Sequence, residues 1–247
     1  MDKLRELKLV VKPTKVQLGQ TKVRFLGHLV SHGAIEVLPE HTLQLKDFPT
    51  PNTGRQMERF LGAAQWVARF CPALGDTTGP LHAATTQRKI KWTPELRDAY
   101  DHAKRILLDP ATLVPYDPAA PLTLQVDASD HGWGAALLQP SGVVAYTGGT
   151  FKGHETSWHV REKELAAALK ALRTWTPYTA GRPVNVVTDH KPNTSIKLKK
   201  KVNYHKIIRW LEEMNEYDLR WMYIPGKDNP FSDWLSRLHD NNKQLSR

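Results

Sequence analysis

Cysteine is nearly absent from this chain of 247 residues, which contains Cys71 and no other. One cysteine excludes an intramolecular disulfide and a zinc site built from cysteines, and it fits a reducing compartment. No apolar run is long enough to cross a bilayer, and the charged start Met1–Arg5 is not followed by the apolar core of a secretory signal. We therefore expect an intracellular protein, cytoplasmic or nuclear, with no membrane partner; an organellar transit peptide stays an open alternative.

Acidic residues are also scarce relative to basic ones. The chain has 35 Lys and Arg against 25 Asp and Glu, a formal net charge of +10. A basic globular chain usually has a polyanionic partner, most often nucleic acid, although a soluble protein can simply happen to be basic. Hydrophobic residues make up 40% of the chain, enough to bury a core in one large domain or two small ones.

The hydrophobic pattern changes twice along the chain. Residues 1–39 contain short strand-like runs, and residues 40–110 predict helices with N-caps at Thr53 and Thr93. From residue 113 onward, strands and helices alternate. The predicted strands are Leu122–Asp127, Ala135–Leu138, Val143–Tyr146, Val184–Thr188 and Leu219–Ile224, and the predicted helices are Arg161–Trp175, 203–214 and Phe231–Leu238. This alternation indicates an α/β domain with a parallel or mixed sheet.

Four carboxylates stand at the ends of these predicted elements. Asp127 and Asp189 end strands, Glu164 lies early in a helix and Asp233 lies in the first turn of the last helix. If they converge they repel one another, and two Mg²⁺ ions about 3.5–4 Å apart would relieve that repulsion and clamp a phosphodiester. Taken singly, each acid has a simpler explanation as a turn residue, a helix cap or a residue that favours the helix dipole. Spacing alone leaves both interpretations open.

The motifs around these acids resemble a known family. Val126–Ser129 followed by Gly132–Ala135 and Gln139, then Thr188–His190, and finally Pro225–Asn229 with Asp233–Arg237, are similar to the ribonuclease H domain of gypsy-type LTR retrotransposon reverse transcriptases. Glu162–Leu165 resembles the Glu-Lys-Glu-Leu of that family, in which the Glu directly before Leu is catalytic. That rule selects Glu164 over Glu162.

The resemblance extends toward the N-terminus. Val23–His28 is similar to the strand that closes the polymerase palm, and Pro49–Phe70 to the thumb; Trp92–Glu95 also matches. The polymerase centre of that family needs a Tyr-x-Asp-Asp turn, and this chain contains no adjacent Asp pair. The resemblance therefore implies a palm remnant (1–39), a thumb-like helical domain (40–110), a ribonuclease H-like domain (113–239) and a tail (240–247), without polymerase activity of its own.

The fold implied is an α/β, ribonuclease H-like mixed five-stranded sheet with flanking helices, preceded by the small helical domain. The activity implied is cleavage of the RNA strand of RNA–DNA hybrids, with Asp127, Glu164, Asp189 and Asp233 as both catalytic residues and ligands of two Mg²⁺ ions, or of Mn²⁺. That family has a Tyr at a fixed position before the last Asp. Tyr223 occupies that position in this chain, so the resemblance makes it an accessory candidate. Predicted contacts to nucleic acid come from Lys197, Lys199, Lys200, Lys201 and Arg209, and from Thr188, Asn229 and Ser232 as groove donors.

Several positions depart from the family pattern. Asn193 and Trp234 replace a Leu and a small residue, Trp158 stands where Tyr is typical, and Thr147–Thr150 lacks a Ser-Arg-like pair. These departures favour an alternative, a domesticated remnant that binds RNA or protein without cutting it inside a ribonucleoprotein assembly. A third hypothesis is a nucleic-acid clamp that serves a longer polymerase subunit.

Overall fold

A small antiparallel sheet opens the structure, a computed structural model that describes residues 3, 6–8, 10, 12, 16–72, 74–130, 132–188 and 205–224. Its strands are β1 (Lys22–Phe25), β2 (His28–Ser31) and β3 (Ala34–Val37), paired in that order. Leu26 and Gly27 connect β1 to β2 with φ angles of 45° and 82°, the positive φ pair that a two-residue hairpin turn requires.

Helices follow the small sheet, as predicted for residues 40–110. They are α1 (Pro39–Lys46), α2 (Gly54–Val67), α3 (Leu74–Thr77), α4 (Gly79–Ala84) and α5 (Pro94–Leu108). The predicted N-caps are confirmed: the Thr53 hydroxyl accepts from the Gln56 N–H, and the Thr93 hydroxyl accepts from the Leu96 N–H. The apolar faces of these helices form a helical core that includes Met57, Phe60, Leu81, Leu107 and Leu113.

Leu113 lies at the predicted start of the third segment. Its backbone exchanges two hydrogen bonds with Ile35 on β3, and its side chain is fully buried in the helical core. The next residue, Val114, donates its N–H to Val143 of the larger sheet. This short connection therefore ties the small sheet, the helical core and the larger sheet together.

The larger sheet has five strands in the described part of the chain. They are β4 (Leu122–Ala128), β5 (Gly132–Gln139), β6 (Gly142–Thr150), β7 (Pro183–Thr188) and β8 (Asp218–Tyr223), arranged β6-β5-β4-β7-β8. Strands β6, β5 and β4 are antiparallel, whereas β4, β7 and β8 are parallel. The sheet is therefore mixed, and the carboxyl ends of its three parallel strands meet at one edge.

The flanking helices of the sheet are α6 (Val160–Thr174), the short α7 (Thr176–Thr179) and α8 (His205–Met214). The predicted inner face of α6 is confirmed, since Leu165, Ala168, Leu169 and Leu172 are 0–1% exposed. Two ion pairs tie α8 to α6: Lys206 contacts Glu162 at 2.9 Å, and Arg173 contacts Glu213 at 2.6 Å. Helix α8 thus has a fixed position against α6. The predicted helix Phe231–Leu238 lies outside the described residues.

The helical core meets the larger sheet at a contact between glycines. A Cβ on Gly75 in α3 would lie 2.2 Å from the Gly149 nitrogen and 2.3 Å from the Gly148 carbonyl carbon on β6. This approach therefore requires a glycine at residue 75. A Cβ on Gly148 would lie 2.8 Å from the Trp133 carbonyl oxygen, and one on Gly149 would lie 3.1 Å from the Trp133 ring, so strand β5 explains these two glycines of the Thr147–Thr150 departure. The predicted fold class, a mixed five-stranded sheet with flanking helices behind a helical unit, is confirmed, and no helix among the described residues is long and apolar enough to span a membrane.

Candidate functional site

The carboxyl edge of the parallel strands carries the first predicted acid. Asp127 is the penultimate residue of β4 and is partly exposed. Its partner across the antiparallel pair is Gly134 on β5, so no neighbouring side chain from that strand covers the carboxylate. On the other side of β4, Thr188 ends β7 and pairs with Tyr223, which ends β8. Asp127 therefore lies, partly exposed, at the carboxyl edge that β4, β7 and β8 share.

Helix α6 brings the second predicted acid to the same edge. Glu164 is 4% exposed, and its Oε1 accepts a hydrogen bond of 3.0 Å from the Ala128 backbone N–H. Ala128 directly follows Asp127, so the two carboxylates belong to neighbouring positions on β4 and α6. A buried carboxylate is costly unless hydrogen bonds or cations stabilise it. The structure thus joins two of the four predicted acids.

Glu162 has a different environment from Glu164 although only one residue separates them. Its carboxylate accepts from the His159 backbone N–H at 3.1 Å, which closes the start of α6, and it pairs with Lys206. Burial alone raises the pKa of Glu162, but the Lys206 hydrogen bond, followed by the His159 backbone and the nearby positive charges, outweighs burial and leaves the pKa below its usual value. Glu162 is therefore a capping and pairing residue of α6.

The turn after Asp127 contains contacts that the sequence did not reveal. Lys163 is 3% exposed, and its Nζ lies 3.0 Å from the Asp130 carboxylate and 3.1 Å from the Asp130 carbonyl oxygen. The Ser129 hydroxyl accepts from the Gly132 N–H at 2.9 Å. The sequence carried no signal for this contact, because charged residues occupy every position from Arg161 to Glu164.

The remaining predicted residues divide into two groups. The first group lies outside the described residues and consists of Asp189, Asp233, the four lysines of residues 197–201, Asn229 and Ser232. Within the described part, no group of three or more His, Cys, Asp or Glu is arranged to hold a metal ion. Only two of the four predicted ligands, Asp127 and Glu164, lie in this part of the chain, so the complete set of four carboxylates stays a prediction.

Three predicted accessory residues lie in the described part. Tyr223 is 41% exposed at the carboxyl edge of β8. Thr188 is 1% exposed, and this burial does not favour its predicted contact with a nucleic-acid groove. Arg209 is exposed on α8, whereas its neighbour Trp210 is half-buried and packs edge-on against Trp158 at 5.0 Å between ring centres.

Lys206 completes this aromatic group, because its Nζ lies 4.0 Å from the centre of the Trp158 ring. The departure from Tyr to Trp at residue 158 thus fits a larger ring between α8 and the 3₁₀ turn Gly153–Ser157 that precedes α6. Trp210 belongs to this packing.

A cavity of about 680 Å³ lies elsewhere, between the helical core and β6. Its lining includes His28, Arg69, His82, Gly148, Lys152 and Lys170, and neither Asp127 nor Glu164 contributes to it. This cavity is therefore separate from the carboxylate edge, and the two predicted acids make that edge the candidate site.

Comparisons with known proteins agree with this geometry. Residues 117–217 match the model of the RNase H-like domain found in reverse transcriptase. The Transposon Tf2-3 and Tf2-4 polyproteins of Schizosaccharomyces pombe are each 25% identical to this chain over 256 residues, an alignment that covers 100% of this chain and 19% of each polyprotein. The chain thus spans a small part of the length of these curated relatives.

Solved structures show the same fold at lower identity. The foamy viral protease-reverse transcriptase in complex with RNA/DNA hybrid has a TM-score of 0.72 and 21% identity, covering 85% of this chain and 30% of that chain. The same protein in complex with dsDNA has a TM-score of 0.70 and 21% identity, covering 83% and 45%. Residues 117–217 thus match an RNase H-like domain, the solved structures share its fold, and the chain is similar to retrotransposon polyproteins.

Proposed function

We propose that this chain is a metal-dependent ribonuclease H that cuts the RNA strand of RNA–DNA hybrids. The observation that carries the proposal is the hydrogen bond of 3.0 Å between the Glu164 carboxylate and the backbone of Ala128, the residue after Asp127. That bond connects α6 to the strand end that carries Asp127, which supports a shared role for two acids from distant parts of the sequence. A pair of carboxylates on a rigid strand and helix is the beginning of a site for hard divalent cations.

The residues present fit divalent metal. Carboxylate oxygens are the ligands that Mg²⁺ prefers, and a bound cation would further stabilise the buried carboxylate of Glu164. Asp127 and Glu164 would hold the metal, with Asp189 and Asp233 as the further ligands that the family resemblance implies. Asp189 is the residue next to Thr188, with which β7 ends at the same edge. Bound Mg²⁺ supplies charge stabilisation at the phosphate and lowers the pKa of water.

The protein itself contributes position and shape. Strands β4 and β7 form adjacent parallel positions, so residues at their carboxyl ends face the same edge. Tyr223, exposed at the end of β8, stands at the next strand along that edge and is the candidate for contact with the substrate backbone. Selection of a hybrid would rest on groove width and RNA 2′-hydroxyls, since no part of this mechanism requires reading a base sequence.

The charge of the chain supports a polyanionic substrate. The formal net charge is +10, and four lysines stand among residues 197–201, directly before α8. Neutralised phosphates release counterions, so the affinity for a hybrid should fall steeply with salt. The larger partner in this proposal is a polymerase chain that produces the hybrid, as the resemblance to a reverse transcriptase implies.

The test is a cleavage assay on the full chain. A hybrid with a labelled RNA strand is incubated with Mg²⁺, beside an all-DNA duplex and a reaction with EDTA. We expect RNA fragments with 3′-hydroxyl and 5′-phosphate ends from the hybrid alone, and none from Asp127→Asn. A wild-type chain that binds the hybrid without cutting it would contradict the proposal and favour the domesticated remnant.

A further inference from the structure

Lys163 is a buried cation beside the candidate site with no role in the proposed chemistry. Its side chain is 4% exposed, whereas the side chain of its partner Asp130 is 80% exposed. The Lys163 ammonium therefore loses most of its hydration while its counterion keeps its own. Such a pair gains little stability, because the desolvation of a buried charge offsets much of the attraction. An apolar side chain at this position of α6 would avoid that cost.

The contacts of Lys163 connect helix α6 to the turn that follows β4. Its Nζ donates to the Asp130 carbonyl oxygen at 3.1 Å as well as to the Asp130 carboxylate at 3.0 Å. Glu164, the next residue of α6, accepts from the Ala128 N–H at 3.0 Å. Two successive residues of one helix thus hold the turn that follows Asp127 at two points. The turn itself is closed by the Ser129 N–H, which donates to the Gly132 carbonyl at 2.8 Å.

We infer that Lys163 is a positioning residue that fixes the turn after β4 and thereby sets the separation of the Asp127 and Glu164 carboxylates. The inference rests on the proposed function, because that separation matters only if the two acids share a metal. Residues that orient ligands through a second contact typically change metal affinity or activity about 10- to 100-fold when they are replaced. Lys163 would act in this way without touching substrate.

The experiment compares variants of the full chain by metal binding as well as by cleavage. Lys163→Met keeps the unbranched shape and most of the length of the side chain and removes both hydrogen bonds, and Asp130→Ala removes the exposed partner. Lys170→Met is the matched control, because Lys170 lies on the same helix and pairs with Glu155 at 2.9 Å, outside the contacts of the turn. Mn²⁺ binding is measured by calorimetry, the Mg²⁺ requirement by hybrid cleavage, and folding by thermal unfolding.

We expect Lys163→Met to weaken Mn²⁺ binding about 10-fold or more and to raise the Mg²⁺ concentration for half-maximal cleavage in parallel. Lys170→Met should bind Mn²⁺ as the wild type does. The double variant Lys163→Met/Asp130→Ala should be no worse than Lys163→Met alone, since both changes release the same turn. If Lys163→Met fails to fold, Asp130→Ala provides the same test, because Asp130 is exposed. We expect a smaller loss of Mn²⁺ affinity in this variant.

Wild-type affinity for Mn²⁺ in both single variants would overturn the inference, and so would additive losses in the double variant. The proposed function fails in a different way, through a wild-type chain that does not cut a hybrid. If that chain still binds Mn²⁺, the comparison of binding constants decides the inference. A wild-type chain that binds no metal would contradict both.

Discussion

Glu164 on α6 and Ala128 on β4 are joined by a hydrogen bond of 3.0 Å, in which the glutamate carboxylate accepts from the backbone N–H. The two residues are far apart in the sequence, and their contact brings the acid of a helix to the acid of a strand end. Glu164 is almost fully buried, whereas Asp127 is partly exposed. Glu164 is thus the acid that the protein backbone fixes, and Asp127 is the more accessible of the two.

The contact between Gly75 and β6 gives the first prediction. Gly75→Ala should lower the free energy of unfolding by about 1–3 kcal/mol, the usual cost of forcing extra atoms into a packed contact, because the new Cβ would lie 2.2 Å from the Gly149 nitrogen. Chemical denaturation measures the change. Gly62→Ala in α2 is the matched control, since nothing lies within 4 Å of its Cβ, and it should leave the stability unchanged or raise it by up to about 1 kcal/mol. Equal effects of the two substitutions would contradict the packing described here.

His28 gives a prediction of pH dependence. Burial, followed by the charges of Arg69 and His41, holds the pKa of His28 below its ordinary value of 6.5, and its Nδ1 is buried with no hydrogen-bond partner among the described residues. Below pH 6.5 the unfolded chain therefore binds a proton that the folded chain does not. His28 therefore contributes to the free energy of unfolding above pH 6.5. This contribution is lost as the pH falls from 6.5 toward the lower pKa of the folded state.

Denaturation at a series of pH values between 7.5 and 5 checks this expectation. The wild type should lose stability across the window below pH 6.5, and His28→Asn should lose less. His32→Asn, at an exposed position in the turn between β2 and β3, is the control for a histidine substitution. A wild type and His28→Asn with parallel pH profiles would show that His28 does not carry the effect.

Salt dependence tests the lysines before α8. The logarithm of the affinity for a hybrid should fall linearly with the logarithm of the salt concentration, and each lost phosphate contact should reduce that slope by about one. We expect Lys199→Gln/Lys200→Gln to flatten the slope. The charge-matched control is Lys89→Gln/Lys91→Gln, at exposed positions before α5, which should keep the wild-type slope. Filter binding at several salt concentrations measures both, and equal flattening in the two variants would point to net charge rather than to local contacts.

Local pattern was enough to predict most of the fold. The alternation of Leu122–Asp127 and the threonine caps at residues 53 and 93 reflect interactions within a few positions, and the structure confirms them. The place of Asp127 at a strand end followed from the same pattern. The choice of Glu164 over Glu162 came instead from the family motif, and the structure places the two side chains in clearly different surroundings.

The local sequence pattern could not predict contacts between residues that are far apart in the chain. Lys163 meets Asp130 across 33 positions, and no helical periodicity predicts that a lysine is buried, because the covering turn belongs to another element. Gly75 meets Gly148 and Gly149 for the same kind of reason. In the sequence these two glycines were a departure from a family motif, and their close approach to Trp133 on β5 explains them.

The most direct test of the central claim is the rate of hybrid cleavage by Glu164→Gln compared with Glu162→Gln. Both substitutions remove one negative charge from the same turn of α6, and thermal unfolding shows whether each variant folds. If Asp127 and Glu164 share a metal site, Glu164→Gln should cut at least about 100-fold more slowly than the wild type. This exceeds the usual effect of replacing a residue that only orients a metal ligand. Glu162→Gln should keep most of its cleavage rate. Equal rates in the two folded variants, or cleavage by Glu164→Gln at the wild-type rate, would contradict the claim.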